Sequence, residues 1–237
     1  MTIAEMHTAV KLGLDKTEGL AYPAFEPEEI DYWLNDSINR FVKTRYSGNN
    51  YLRKGFEQSQ KRTDDLYTIV KEAVIVPVEG TDPSDRPNSW IVETTDFPVD
   101  YLLFLNDEVA ITFDHQVIQT PVTIVTGIVE CTSDTYRTKV SDPYGEHILH
   151  MNTAKPLRLF SSKGVELITD GNYDIPFYYM HYISTPAVVD SLAVVPVDCD
   201  LPLHTHSEIV EMTVNKLLEN IEAPRYQTQS IELTKIE

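Results

Sequence analysis

Hydrophobic residues recur at helical spacing near both ends of the chain. Apolar residues three or four positions apart predict a helix over residues 2 to about 16 and a clearer one over residues 27–46, which Pro27 opens. The same spacing predicts a last long helix over residues 205–221, stopped by Pro224. Thr2 with Glu5, and Thr205 with Glu208, have the Ser/Thr-x-x-Glu spacing of a capping box.

A polar stretch from residue 56 to about residue 72 follows the first two helices. It is rich in Gln, Lys, Arg and Asp, with Leu66, Ile69 and Val70 as its apolar end. We interpret it as a third helix or an extended arm. A segment this polar either faces solvent or lies across a neighbouring subunit.

From residue 73 the pattern changes to short β-branched or alternating runs divided by Gly, Pro, Asn and Asp. Residues 74–78 contain a proline and suit an edge strand. Further strands are predicted over residues 90–92, 101–105, 109–113, 122–131, 135–140, 147–151, 157–160, 165–169 and 177–183. No helix-length crossovers separate these runs, so the sheet is expected to be antiparallel.

Together these patterns predict an α+β fold. We expect an antiparallel β-sandwich or small barrel bracketed by N-terminal helices and a long C-terminal helix. The predicted parts are an N-terminal helical segment (1–72), a β-sandwich module (73–186), and a C-terminal part (187–237). That last part comprises a connector, a helix packing on the N-terminal helices, and a polar tail.

Composition argues against several classes of function and site. The 237 residues include 37 acidic and 19 basic side chains, a formal charge of -18 that repels phosphate and argues against ordinary nucleic-acid binding. Cys131 and Cys199 lie far apart without a CxxC spacing, so we expect neither a disulfide framework nor a zinc ribbon, and a reducing compartment. No membrane span or signal peptide is predicted.

One group of side chains could in principle bind a metal: Asp198, Cys199, Asp200, His204 and His206. The two histidines straddle a helix start and would point apart, and Pro202 separates them from the other donors. We interpret the group as a helix cap and predict no metal. His147 and His150 are expected on opposite faces of a strand.

Catalytic motifs are lacking in the sequence. No GxSxG, HExxH or SxxK motif occurs, and no glycine-rich loop precedes a Lys-Ser/Thr pair, so we predict neither a catalytic residue nor a cofactor. A hydrolase without a short motif stays open. The aromatic run from Tyr173 to Tyr182 could stack on sugar, which leaves a carbohydrate-binding β-sandwich as the alternative, but a core or subunit contact explains it as well.

Long collinear stretches carry a resemblance to a known family. "NDSINRFVKTRYSGNNYLRKGFEQSQKRTDDLYTIV" and "FPVDYLLFL" resemble the N-terminal half of neck-ring structural proteins of crAss-like bacteriophages. "DPYGEHILHMNTAKPLRLF", "VELITDGNYDIPFYYMHYISTPAVV" and "CDLPLHTHSEIVEMTVNKLLENIEAPRYQTQ" are similar to their closing strands and terminal helix. In these proteins basic residues often precede the proline that corresponds to Pro186; here Ser184 and Thr185 stand at those positions.

The resemblance implies a virion structural protein of the head-to-tail connector, without enzymatic activity. By family analogy, about twelve copies would form a homo-oligomeric ring beneath the portal, in contact with portal and other neck or tail proteins. DNA would pass through its lumen without specific binding, and no membrane would be involved. Such a protein is made in the host bacterial cytoplasm and ends in the virion neck or tail.

We also predict which residues contact neighbouring subunits. The hypothesis is that the polar helix over residues 56–72 and the chain's two tails reach adjacent copies. Its candidate residues are Phe56, Gln60, Arg62, Asp65, Arg225, Tyr226, Ile231 and Leu233.

Overall fold

A computed structural model of the chain describes residues 1–14, 25–47, 56–80, 86–114 and 120–220. Its helices are α1 (Ile3–Leu14), α2 (Pro27–Tyr46), α3 (Gln60–Leu66), α4 (Tyr136–Val140) and α5 (His206–Asn220). Its strands are β1 (Val70–Ile75), β2 (Val78–Glu79), β3 (Ser89–Glu93), β4 (Tyr101–Asp114), β5 (Pro121–Gly127), β6 (Val129–Glu130), β7 (Leu157–Phe160), β8 (Gly164–Ile168) and β9 (Asp174–Ser184). The α+β prediction is confirmed.

The chain divides into two compact units. A helical unit contains Met1–Val70 together with Thr185–Glu237, and a β unit contains Lys71–Ser184. The helical unit is therefore built from both ends of the sequence. None of the helices in the described ranges has the length and apolarity that crossing a membrane requires.

In the helical unit, α5 packs against both α1 and α2. The contact with α1 is close: a Cβ atom added at Gly13 would lie 2.7 Å from Val214 Cγ2. The buried apolar side chains of the three helices include Met6, Val10, Leu14, Ile30, Leu34, Ile38, Ile209, Leu217 and Leu218. Burial of these stripes is the main stabilising contribution to the unit.

The two predicted capping boxes have different outcomes. At α1 the box forms, because the Thr2 amide donates to Glu5 Oε2 (2.9 Å) and the Glu5 amide donates to Thr2 Oγ1 (3.3 Å). At α5 the prediction is wrong. Thr205 Oγ1 donates to the carbonyl of Pro202 (2.8 Å), and Glu208 instead pairs with Arg45.

The β unit consists of two sheets that form a sandwich. The four-stranded sheet has the order β1-β9-β4-β5, and the five-stranded sheet has the order β2-β3-β8-β7-β6. The β4–β5, β4–β9, β2–β3, β3–β8 and β7–β8 pairs are antiparallel, whereas β6 and β7 are parallel. One hydrophobic cluster contains residues of both sheets, among them Ile111, Tyr178 and Met180 from the first and Val92, Val165 and Leu167 from the second.

One local prediction is right only in part, and two are wrong. The polar helix ends at Leu66, and after a 3-10 turn the chain enters β1 at Val70, where β-branched residues begin to pair beside β9. Residues 135–140 were predicted as a strand, but Tyr136–Val140 form the short helix α4, with Thr135 at its N-cap. Its first turn is held by Thr135 and Thr132, since the Thr132 amide donates to Thr135 Oγ1 (3.1 Å).

Residues 147–151 are not a strand either. The amides of His150 and Thr153 each donate to the other's carbonyl (3.0 and 2.9 Å), and Met151 and Asn152 between them have φ of 48° and 64°. Two consecutive left-handed residues make a tight turn, which overrides the apolar pattern of the preceding residues.

Candidate subunit-contact site

The predicted contact helix is anchored by a buried ion-pair cluster. Arg45 of α2 and Asp65 of α3 are both buried, with Nε 2.8 Å from Oδ2. Arg45 Nη2 also donates to Glu208 of α5, so one guanidinium joins three helices. Removing a charge from such a cluster leaves its partners buried without compensation.

Neighbouring side chains extend this cluster. His204 Nε2 lies 2.9 Å from Asp65 Oδ1, and Lys61 Nζ lies 3.2 Å from Glu208 Oε1. Arg62 Nη1 donates to the backbone carbonyls of Thr44 (3.1 Å) and Arg45 (3.2 Å) at the end of α2. The polar residues of α3 thus fix this short helix within its own subunit.

The predicted contact residues are placed unequally. Phe56, Arg62 and Asp65 are buried within the subunit, and only Gln60 among the described candidates is exposed; its Nε2 donates to Asp64 Oδ1 (2.8 Å). The remaining candidates, Arg225, Tyr226, Ile231 and Leu233, lie outside the described residues. Contact of this region with a neighbour stays a prediction.

The two histidines before α5 have separate partners. His204 is paired with Asp65, as described above. His206 is buried, and its Nε2 lies 2.9 Å from the carbonyl of Leu201 while its Nδ1 lies 3.0 Å from the amino nitrogen of Met1. The two side chains therefore serve different contacts.

The neighbouring acidic groups, those of Asp198 and Asp200, also have separate partners, and the Cys199 thiol is buried. Asp198 Oδ1 accepts from the Ile3 amide (2.6 Å), and Asp200 Oδ2 accepts from the Ala187 amide (3.0 Å). Burial raises the pKa of the Cys199 thiol to about 11. Over the part of the chain that the structure describes, no three His, Cys, Asp or Glu side chains are grouped to hold a metal ion.

Two aromatic residues of β9, Tyr178 and Tyr182, face the core, whereas Phe177 is exposed. Tyr178 is buried and its hydroxyl donates to Asp107 Oδ2 (3.0 Å); Tyr182 is buried and its hydroxyl donates to Asp100 Oδ1 (3.0 Å). A carbohydrate-stacking platform would need both rings exposed. The geometry instead favours the core interpretation of this run.

A shallow cavity of about 340 Å³ lies beside the second half of α2. Polar side chains line it: Asp36, Asn39, Arg40, Lys43, Thr44 and Ser47. Small-molecule sites are mostly apolar with a few converging polar groups. Because the lining of this cavity is polar, it is not typical of a small-molecule site.

Exposed aliphatic residues are the surface feature that the sequence interpretation missed. Val74, Val76 and Val78 are all exposed, and a second group lies in the connector before α5. The sequence signals were present: a Val-x-Val-x-Val alternation, and a connector unusually rich in valine. Grouped exposed aliphatic side chains are common at interaction surfaces.

Comparison with known proteins identifies the family. A search of curated proteins gives no match. The family described as phage tail ring protein 3/4 matches residues 1–225, which is nearly the whole chain. The chain belongs to this family of crAss-like phage ring proteins.

Proposed function

We propose that the protein is the repeating subunit of a ring in the phage neck, joining portal and capsid to the tail. The observation that carries the proposal is the family match over residues 1–225. A ring of identical copies closes through head-to-tail contacts, in which each subunit offers two different surfaces. By family analogy, we expect about twelve copies in the ring.

The charge of the chain supports a place on the DNA channel. Each copy carries a formal charge of -18, so a closed ring brings many carboxylates together. Where they face the lumen, they repel the phosphates of passing DNA and prevent it from binding. DNA can then move through the ring without pausing at specific sites.

Contacts to neighbouring copies are proposed for the exposed face of α3, represented by Gln60, and for the segment that contains Arg225, Tyr226, Ile231 and Leu233. The ion pairs of Arg45 hold α3 rigidly, which lowers the entropy cost of presenting that face to a neighbour.

Purified virions test the proposal directly. Quantitative mass spectrometry should find the protein at a fixed copy number relative to the portal, and electron microscopy of the neck should place it in a ring. Virions that lack the protein, or contain it at variable copy number, would contradict the proposal. The isolated protein should show no measurable affinity for DNA at physiological salt, because its carboxylates repel the phosphates.

A further inference from the structure

A loop in the helical unit presents an unusual apolar surface. Within residues 186–197, Val188, Leu192, Val194 and Val195 are exposed, Val194 completely (104%) and Val195 by 76%. The loop is closed by paired backbone hydrogen bonds between Asp190 and Val197 (3.4 and 3.0 Å). We call residues 186–197 the apolar loop.

The apolar loop is fixed by side chains of α2. Asn35 forms two hydrogen bonds to the backbone of Val189, donating from Nδ2 to its carbonyl (3.0 Å) and accepting from its amide at Oδ1 (2.9 Å). Asp31 Oδ2 accepts from the amide (3.0 Å) and hydroxyl (2.7 Å) of Ser191. A loop held in this way loses little conformational entropy on binding.

A second apolar surface lies in the β unit. Val74, Val76 and Val78 are exposed by 58%, 63% and 62%, whereas Ile75 and Pro77 between them are buried. This valine edge spans the end of β1 and the start of β2, which are terminal in their sheets as far as the described strands extend. Neighbouring aliphatic side chains that are exposed to water on a terminal strand favour association with another chain.

We propose that the apolar loop of one copy docks on the valine edge of the next copy in the ring. The inference rests on the proposed function, and it assigns the two different surfaces that a head-to-tail contact requires. Every copy then uses its loop towards one neighbour and its edge towards the other.

The family match supports a second copy as the occupant, because the chain belongs to a family of ring proteins, and charge limits where two copies can meet. Two chains that each carry a charge of -18 repel each other, so their contact is most favourable where carboxylates are few. The apolar loop contains one charged residue, Asp190, and its Oδ1 accepts from the amides of Leu192 (2.9 Å) and Ala193 (3.0 Å). The loop therefore presents aliphatic groups rather than charge.

Two double variants of the full chain test the pairing. V194D/V195D blocks the loop, V76D/V78D blocks the edge, and Val99→Asp is the matched control because Val99 is fully exposed outside both surfaces. Sedimentation velocity should show rings for the wild type and the control. Each double variant should raise the dissociation constant of self-association at least about 100-fold, since each places two unpaired carboxylates in an apolar contact.

Mixing the two double variants is the decisive step. Each retains one intact surface, so an equimolar mixture should form a one-to-one dimer and nothing larger. Rings that survive in either double variant, or a mixture that stays monomeric, would overturn the inference. A wild type that never self-associates would instead contradict the proposed ring itself. Near-ultraviolet circular dichroism verifies that each variant is folded.

Discussion

Arg158 and Asp107 form a buried ion pair that joins the two sheets of the sandwich. Arg158 Nη1 on β7 lies 2.6 Å from Asp107 Oδ1 on β4. The guanidinium also pairs with Glu130 and stacks over the rings of Phe104 and Phe160, 4.6 and 5.1 Å from their centroids. Burial opposes the charge of Arg158, but the two carboxylates outweigh burial and raise its pKa above the usual value.

Replacing this arginine should destabilise the β unit. Arg158→Met leaves Asp107 buried without its counter-ion, and we expect the free energy of unfolding to fall by about 3–5 kcal/mol. Urea denaturation followed by the fluorescence of Trp90, in a Trp33→Phe background, reports on this unit. The control is Lys155→Met, whose exposed pair with Glu146 contributes under about 1 kcal/mol. Equal losses in the two variants would contradict the prediction.

The Arg45 cluster should be equally important to the helical unit. Arg45→Met removes the cation that Asp65 and Glu208 share, with an expected loss of about 3–5 kcal/mol. Trp33 fluorescence in a Trp90→Phe background follows the unfolding of this unit. Arg40→Met, an exposed position on the same helix, should change the free energy of unfolding by less than about 0.5 kcal/mol. A loss no larger than that of the control would show that the cluster does not stabilise the unit.

Acid should destabilise the β unit through His147. This side chain is buried, and burial lowers its pKa below the usual 6.5. Below pH 6.5 the unfolded chain therefore binds a proton that the folded chain resists, so stability falls as the pH decreases from 7 towards 5. His147→Gln should reduce this fall in urea titrations at the two pH values. His150→Gln, at an exposed position, should reproduce the wild-type fall.

Deleting residues 227–237 should weaken ring or neck assembly and leave the subunit folded. The segment contains Ile231 and Leu233, two of the predicted contact residues. Ordering such a segment on a neighbour can be offset by the area that it buries. Particle yield and sedimentation velocity measure assembly, and circular dichroism measures folding. Unchanged assembly after the deletion would refute the role of the segment.

Local patterns predicted the elements whose causes are local. The apolar stripe and first-turn proline of α2, and the Thr2–Glu5 box of α1, lie within a few residues of one another, and the structure confirms them. The box at Thr205 was lost because Glu208 pairs with Arg45, which is 163 positions away. A sequence pattern that spans four residues cannot show an ion-pair partner at that separation.

The predicted exposure of the candidate contact residues failed for the same reason, because their partners are distant along the chain. Arg62 and Asp65 are polar residues in a polar stretch, so the sequence favoured exposure, yet carbonyls and ions from α2 and α5 bury them. Conversely, Val194 and Val195 are hydrophobic residues that the fold leaves in water. Burial is decided by the partners that the fold brings together, and a local sequence pattern does not show partners that are distant along the chain.

The division of the helical unit between the two ends of the chain has a consequence for synthesis. Residues 71–184 leave the ribosome as an uninterrupted block and can fold as they appear, whereas α1 and α2 must wait for α5, whose first residue is His206. The apolar loop precedes α5, and its anchors Asp31 and Asn35 are set only when this unit closes. If the apolar loop docks on a second copy as proposed, translation order would delay this surface until α5 has been made, which would limit premature association of nascent chains.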